Sequence, residues 1–166
     1  MKTSILLRTA LLVTMGLASN NRGLAQSQLP ARLDGAIGDY TALADPAGPW
    51  HISGQWSLAL QGQSGKGDFS AALSMVRSAN PAPAAHTHHV SLEDGEVTLL
   101  SNGFRINGLA VITSNGSLAG FSGSPIEIVV TGGSSLPFSN LTVTFGGAAA
   151  AHFGEQPVHG VVTSEN

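Results

Sequence analysis

Apolar and polar residues alternate along several short stretches of the chain. In residues 55–61, Trp56, Leu58 and Leu60 occupy alternate positions, with polar or small residues between them. Because successive side chains of a β-strand point to opposite faces, these three side chains would share one face. Such a strand covers a core on one side and meets solvent on the other, so the pattern predicts an amphipathic β-strand.

Alternating apolar and polar positions, separated by turn residues, recur to the end of the chain. Asn-Gly pairs at 102–103 and 115–116, and a Gly pair at 132–133, indicate tight turns. No stretch after the first twenty-five residues has a helical period of useful length. Some eight strands with short connections predict an all-β fold, either an antiparallel β-barrel or a sandwich. The other predicted strands are residues 68–77, 86–92, 97–100, 104–112, 125–131 and 140–145, with a turn at 93–96. A turn and a last strand are predicted within residues 152–162.

The start of the chain has the pattern of an export signal. Lys2 precedes an apolar segment at residues 11–18, and Gly23 and Ala25 supply small residues before a cleavage site at Gln26. The apolar run is shorter than the ~20 residues that a membrane-spanning helix needs, so no transmembrane segment is expected in the mature chain. We therefore expect a secreted or periplasmic protein with a signal peptide at 1–25, an N-terminal arm at 26–49 and a single β-domain at 50–166.

Charge and cysteine content restrict the possible partners and sites. The signal segment contains three of the seven basic residues, and all ten acidic residues follow it, so the mature chain carries a net charge of −6. An acidic protein does not attract nucleic acid, so we expect no nucleic-acid partner. The chain has no cysteine, which excludes disulfides, thiolate catalysis and cysteine-ligated zinc. Any metal must be bound through nitrogen and oxygen.

Three of the six histidines lie within residues 86–89. On a strand, His86 and His88 would share one face, whereas His89 and Glu93 would point to the other. Two imidazoles on one face make half of a metal site, and a C-terminal histidine could complete it. We expect a site for Zn²⁺ or Cu²⁺, the divalent ions that suit neutral imidazole ligands. Its candidate metal ligands are His86, His88, His152 and His159.

Several alternatives remain open for these residues. Glu93, Asp94 or Glu127 could act as a fourth ligand or orient an imidazole. Histidines on alternate strand positions can also be structural and bond to backbone carbonyl groups, which is the role we expect for His51 and His89. The chain lacks a G-x-S-x-G nucleophile motif, and nothing in it places two carboxylates together. Whether the protein is an enzyme is therefore uncertain.

Two motifs resemble known families. The sequence Ala85-His86-Thr87-His88, followed by Asn140, His152, Gly154, Glu155, Gly160 and Val162, resembles the CHRD domain, an exported β module of similar length. This resemblance implies an exported β-domain that covers most of the mature chain. The segment from His86 to Glu93 also resembles the first cupin motif, in which two histidines and a glutamate bind a metal inside a β-barrel.

Two functional hypotheses follow. In the first, an exported β-domain binds a divalent metal ion through its histidine cluster, in a catalytic or structural role. In the second, the chain is a non-enzymatic secreted module for adhesion or ligand binding, with structural histidines. Its partner would be a small ligand or a component of the cell envelope or extracellular space.

Overall fold

A computed structural model describes residues 29–41, 49–77, 85–115, 120–132 and 138–166. These residues form eight β-strands and one short α-helix, which confirms the predicted all-β fold of about eight strands. The predicted signal peptide at 1–25 lies outside the described residues. The strands are β1 (Arg32–Tyr40), β2 (Trp50–Leu60), β3 (Lys66–Arg77), β4 (His86–Leu100), β5 (Gly103–Ser114), β6 (Phe121–Gly132), β7 (Phe138–Phe145) and β8 (Val158–Glu165), and the helix is α1 (Gly147–Phe153).

The eight strands form a closed antiparallel barrel in sequence order. Each strand pairs with the one before it and the one after it, and β1 closes the barrel by pairing with β8. The architecture is therefore a barrel and not a sandwich. Closure satisfies the backbone hydrogen-bonding groups that an open sheet would expose at its edges.

Inward-facing side chains of all eight strands fill the barrel. Trp56 and Leu58 are almost fully buried and Leu60 is partly buried, as the alternating pattern predicted. Each fully buried Leu, Ile or Phe stabilises the fold by about 1.5–3 kcal/mol relative to an exposed one, so this interior supplies most of the driving force for folding. The largest fully buried side chains are Leu33, Ile52, Leu58, Met75, Val90, Leu92, Phe104, Ile106, Ile112, Ile128, Leu141 and Phe153.

The segment expected to be an arm, residues 26–49, contains β1. Leu33, Gly35 and Ile37 of this strand face inward. A Cβ atom added to Gly35 would lie 2.0 Å from the carbonyl oxygen of Val161 and 2.5 Å from the ring of Trp56. The close approach of β8 and the indole requires glycine here, so the apolar alternation of β1 is interrupted at this position.

The turn expected at residues 93–96 is instead a bulge within the long strand β4. The register with β5 shifts between Ser91 and Glu96, and Asp94 adopts a left-handed conformation with φ 54°. Bulges of this kind bend a strand without ending it. The Asp-Gly pair therefore marks an irregularity, because the hydrogen-bonded ladder continues on both sides of it.

Helix α1 crosses one end of the barrel between β7 and β8, where a turn leading to the last strand was expected. Four consecutive alanines at residues 148–151 favour helix because alanine has the highest intrinsic helix propensity. The helix is too short to show an amphipathic period in the sequence. None of the described residues belongs to a helix long and apolar enough to cross a membrane.

Candidate metal centre

One end of the barrel collects most of the histidines. At this end β2, β4, β6 and β8 begin, at Trp50, His86, Phe121 and Val158, and the odd-numbered strands finish. We call it the histidine end. Helix α1 packs across it against β6 and β7, so side chains from the start of β4 and from α1 meet there.

Strand β4 directs His86 and His88 toward the interior. Their side chains alternate with the exposed Thr87 and His89, as expected for a strand. His88 is 3% exposed and His86 is 9% exposed. The two imidazole rings lie 4.8 Å apart and nearly perpendicular to each other, so β4 alone supplies two nitrogen ligands to one small volume.

Helix α1 supplies the third imidazole, that of His152. The amide of Gly146 donates a hydrogen bond to the carbonyl of Pro125, which holds the start of the helix on β6. On the helix, Ala149 and Phe153 are buried, and the Phe153 ring stacks on Phe145 at 4.2 Å. These contacts fix the orientation of α1 and place His152 beside the two strand histidines.

The Nε2 atoms of the three imidazoles converge. The distance from His152 Nε2 to His88 Nε2 is 2.9 Å, and that to His86 Nε2 is 3.1 Å. The potential ligand atoms of the group all lie within 4.8 Å of one another. With metal–nitrogen distances of about 2.0–2.1 Å, three nitrogens of a tetrahedral site lie about 3.3 Å apart. Small ring rotations would therefore let all three nitrogens reach one ion.

The tautomer of His88 suits metal binding. Its Nδ1 lies 3.3 Å from the carbonyl oxygen of Thr113, which can only accept, so Nδ1 carries the proton and donates a hydrogen bond to that oxygen. The Nε2 lone pair then points into the cluster, which is the arrangement of most metal-ligating histidines. His152 Nε2 has at most one proton to offer its two neighbouring nitrogens. A shared cation would satisfy all three nitrogens together.

Aromatic rings enclose the three imidazoles. Trp50 meets His86 edge-on at 5.0 Å, Phe153 meets His88 at 5.0 Å, and Phe121 lies 5.6 Å from His152. The Arg77 guanidinium lies over the Trp50 ring, 4.7 Å from its centroid. The surroundings formed by the described residues are therefore mostly apolar, which strengthens electrostatic interactions inside the cluster.

The surroundings keep two of the imidazoles neutral at physiological pH. Burial, followed by the neighbouring His152 and His86 rings, lowers the pKa of His88 from 6.5 to about 4, although the Thr113 carbonyl acts in the opposite direction. Burial and the His86 ring also lower the pKa of His152. Neutral imidazole is the form that binds metals, so these shifts favour binding at neutral pH.

The fourth candidate ligand, His159, lies elsewhere. Its Nδ1 and its backbone amide contact Asp39 Oδ2, at 2.6 and 2.9 Å. Partial burial acts to raise the pKa of the Asp39 carboxyl, but hydrogen bonds from His159 and from the Tyr40 amide lower it overall. This contact ties the beginning of β8 to β1. Of the two C-terminal histidines, the structure brings His152 to the strand pair.

The carboxylates considered as further ligands are also distant from the cluster. Glu127 pairs with Arg105 at 3.1 Å on the outside of the barrel. Asp94 contacts Gln61 and Asp68 at the opposite end, and Glu93 is exposed beside it.

His51 and His89 point away from the interior, and the His51 ring contacts Tyr40 at 5.0 Å. The group that could hold a metal, within the described ranges, therefore consists of three imidazoles.

Two contributors to the centre were not foreseen from the sequence. The alanine run before His152 indicates a local helix, but not that the helix would cross the barrel end. The carbonyl of Thr113 has no sequence signal at all, because any residue at that position of β5 would offer the same acceptor.

No protein-family model, curated protein or solved structure matches this chain.

Proposed function

We propose that this protein binds one divalent transition-metal ion, Zn²⁺ or Cu²⁺, through the Nε2 atoms of His86, His88 and His152. The observation that carries the proposal is the convergence of these three atoms from two elements more than sixty residues apart in sequence. Burial of the His86 and His88 rings, the lowered pKa of His88 and its Nδ1–H bond to Thr113 support it further.

Three nitrogen ligands leave a coordination position for an external molecule. Metal sites with three protein ligands and an open position are typical of catalytic centres, whereas closed four-ligand sites are structural. Zn²⁺ in such a site activates a bound water, and Cu²⁺ can exchange electrons. Nitrogen ligands bind Cu²⁺ more strongly than Zn²⁺, so the metal available to the protein decides which chemistry the site supports.

Calorimetric titration tests the proposal. We expect purified wild-type protein to bind one equivalent of Cu²⁺ or Zn²⁺ at neutral pH. The His86→Ala/His88→Ala double variant should lose that binding. The matched control is His89→Ala, which removes an exposed histidine from the same strand and should bind like the wild type. Equal, weak, super-stoichiometric binding by all three proteins would refute a specific site.

Export to the periplasm or the exterior is part of the same proposal. It is supported by the signal-like residues 1–25. The resemblance to the CHRD domain supports it too, because that domain is an exported β module. Detection of a mature chain beginning at Gln26 outside the cytoplasm would test this part.

The second candidate function is a non-enzymatic exported module in which the histidines only stabilise the barrel end. The 2.9 Å contact between the Nε2 atoms of His88 and His152 favours it, because a hydrogen bond between the two imidazoles satisfies buried nitrogen atoms without a metal. Thermal unfolding separates the two functions. A ligand that binds only the folded state stabilises that state by about 4 kcal/mol when its free concentration is a thousand times its Kd. Metal should therefore raise the Tm of the wild type and of His89→Ala, but not that of the His86→Ala/His88→Ala double variant. An unchanged Tm would favour the structural role.

A further inference from the structure

The three ligands of the candidate centre are imidazoles, which bind a metal ion in their uncharged form. Within the part of the chain that the structure describes, the converging group contains imidazoles and no carboxylate. A divalent ion bound by them alone would keep its full double positive charge.

That charge would lie in a poorly hydrated place. His88 and His86 are buried, and Trp50, Phe153 and Phe121 pack around the imidazoles. These three aromatic side chains carry no negative charge, so they cannot neutralise the ion. An uncompensated charge in an apolar environment is costly unless it is paired. A negatively charged ligand at the open position would bring that compensation directly to the ion.

The open side of the cluster can be located from the exposure of its neighbours. Trp50 is 9% exposed and Phe153 is 1% exposed, whereas Phe121 and His152 are both partly exposed. Phe121 lies 5.6 Å from the His152 ring and 6.5 Å from the His88 ring. A molecule that reaches the cluster beside His152 therefore passes the Phe121 ring.

We infer, resting on the metal binding proposed above, that the open position takes a small anion and that Phe121 limits its size. The ligand class is monatomic or short linear anions, including hydroxide, halides and pseudohalides. The charge of the ion selects an anion over a neutral molecule, and the aromatic side chains exclude bulky ones. Phe121 is thereby a specificity-determining residue, although it does not bind the metal.

The inference can be tested on the copper-loaded protein with two probes, azide and benzoate. Binding of one equivalent of Cu²⁺ is first measured by metal analysis. Each anion is then added at constant ionic strength, and the visible and electron paramagnetic resonance spectra of the copper are recorded. We expect azide to saturate one site and produce a charge-transfer band, and benzoate to bind at least tenfold more weakly.

The variant Phe121→Ala should reduce this discrimination at least tenfold by admitting benzoate. The control is Leu109→Ala, which removes an exposed apolar side chain from the outer wall and should leave both affinities unchanged. If copper binds stoichiometrically but azide leaves its spectra unchanged, the anion site is refuted while the metal site stands. If Phe121→Ala binds both anions like the wild type, Phe121 does not set the size limit. Failure to bind copper at the cluster would refute the proposed function and this inference together.

Discussion

At the scale of single residues, the Nδ1 atom of His88 decides which side of that imidazole can bind a metal. Its hydrogen bond to Thr113 fixes the proton on Nδ1 and leaves the Nε2 lone pair facing His152. The same burial that fixes the ring disfavours its protonated form, since a buried charge is poorly solvated. Geometry and protonation therefore both favour metal binding.

The lowered pKa of His88 predicts a pH-dependent stability of the metal-free protein. The unfolded chain takes up a proton at His88 near pH 6.5, whereas the folded protein resists it until about pH 4. Between these values the unfolded state binds more protons, so the stability contributed by neutral His88 is full above pH 6.5 and declines as the pH falls toward 4. Urea unfolding in a chelator should show this decline.

The control for this pH dependence is a pair of variants. His88→Gln removes one of the two rings whose pKa is lowered and should reduce the decline between pH 6.5 and 4, while His152 still contributes to it. The exposed His89→Ala should retain the full decline. An identical pH profile for His88→Gln and the wild type would show that His88 is not responsible.

A second prediction at this scale separates the two C-terminal histidines. His152→Ala removes a ligand, so its metal affinity should fall by more than about 100-fold, the upper range for loss of an outer-sphere partner. His159→Ala removes only the imidazole contact with Asp39, which lies away from the cluster, and should bind metal like the wild type. Titration calorimetry on both variants measures the difference, and a comparable loss of affinity in His159→Ala would contradict the assignment.

At the scale of elements, closure of the barrel depends on how closely β1 approaches its neighbours. Gly35 lies where the backbone of β8 and the ring of Trp56 leave no space for a side chain. Gly38, three residues later on the same strand, has no atom within 4 Å of the position of an added Cβ. The two glycines therefore provide a matched pair for testing the packing of β1.

We expect Gly35→Ala to destabilise the fold by about 1–3 kcal/mol or more, because an overpacked core forces the strands apart. Gly38→Ala should change the free energy of unfolding by less than about 0.5 kcal/mol, as surface substitutions usually do. Denaturant unfolding of both variants checks this prediction. Equal stability of the two would show that β1 is not packed tightly against β8 and Trp56.

Some strands of the barrel can be recognised from the sequence, and others cannot. Strands with a regular apolar face, such as β2 and β7, could be recognised because period-2 burial leaves a direct signature. Strand β1 has no such signature, since its inward-facing position 35 has no space for a side chain and is therefore glycine. The bulge at 92–95 resembles a turn locally, and only its partner strand shows that the ladder continues.

At the scale of the whole molecule, the candidate centre depends on barrel closure. His86 and His88 could be paired from the sequence because their spacing places them on one face of a strand. The choice of His152 over His159 depends on the path of α1 across the barrel end, which local sequence does not encode. Contacts between distant segments complete the site, as is usual for sites built on a scaffold of strands.

The most direct measurement of the central claim is anomalous X-ray diffraction from crystals grown with one equivalent of Cu²⁺ or Zn²⁺. Data collected on both sides of the metal absorption edge locate the ion without assumptions about its ligands. We predict one principal peak about 2.0–2.1 Å from the Nε2 atoms of His86, His88 and His152. A principal peak at His51, His89 or His159, or no peak at the cluster in metal-saturated crystals, would contradict the proposed metal centre.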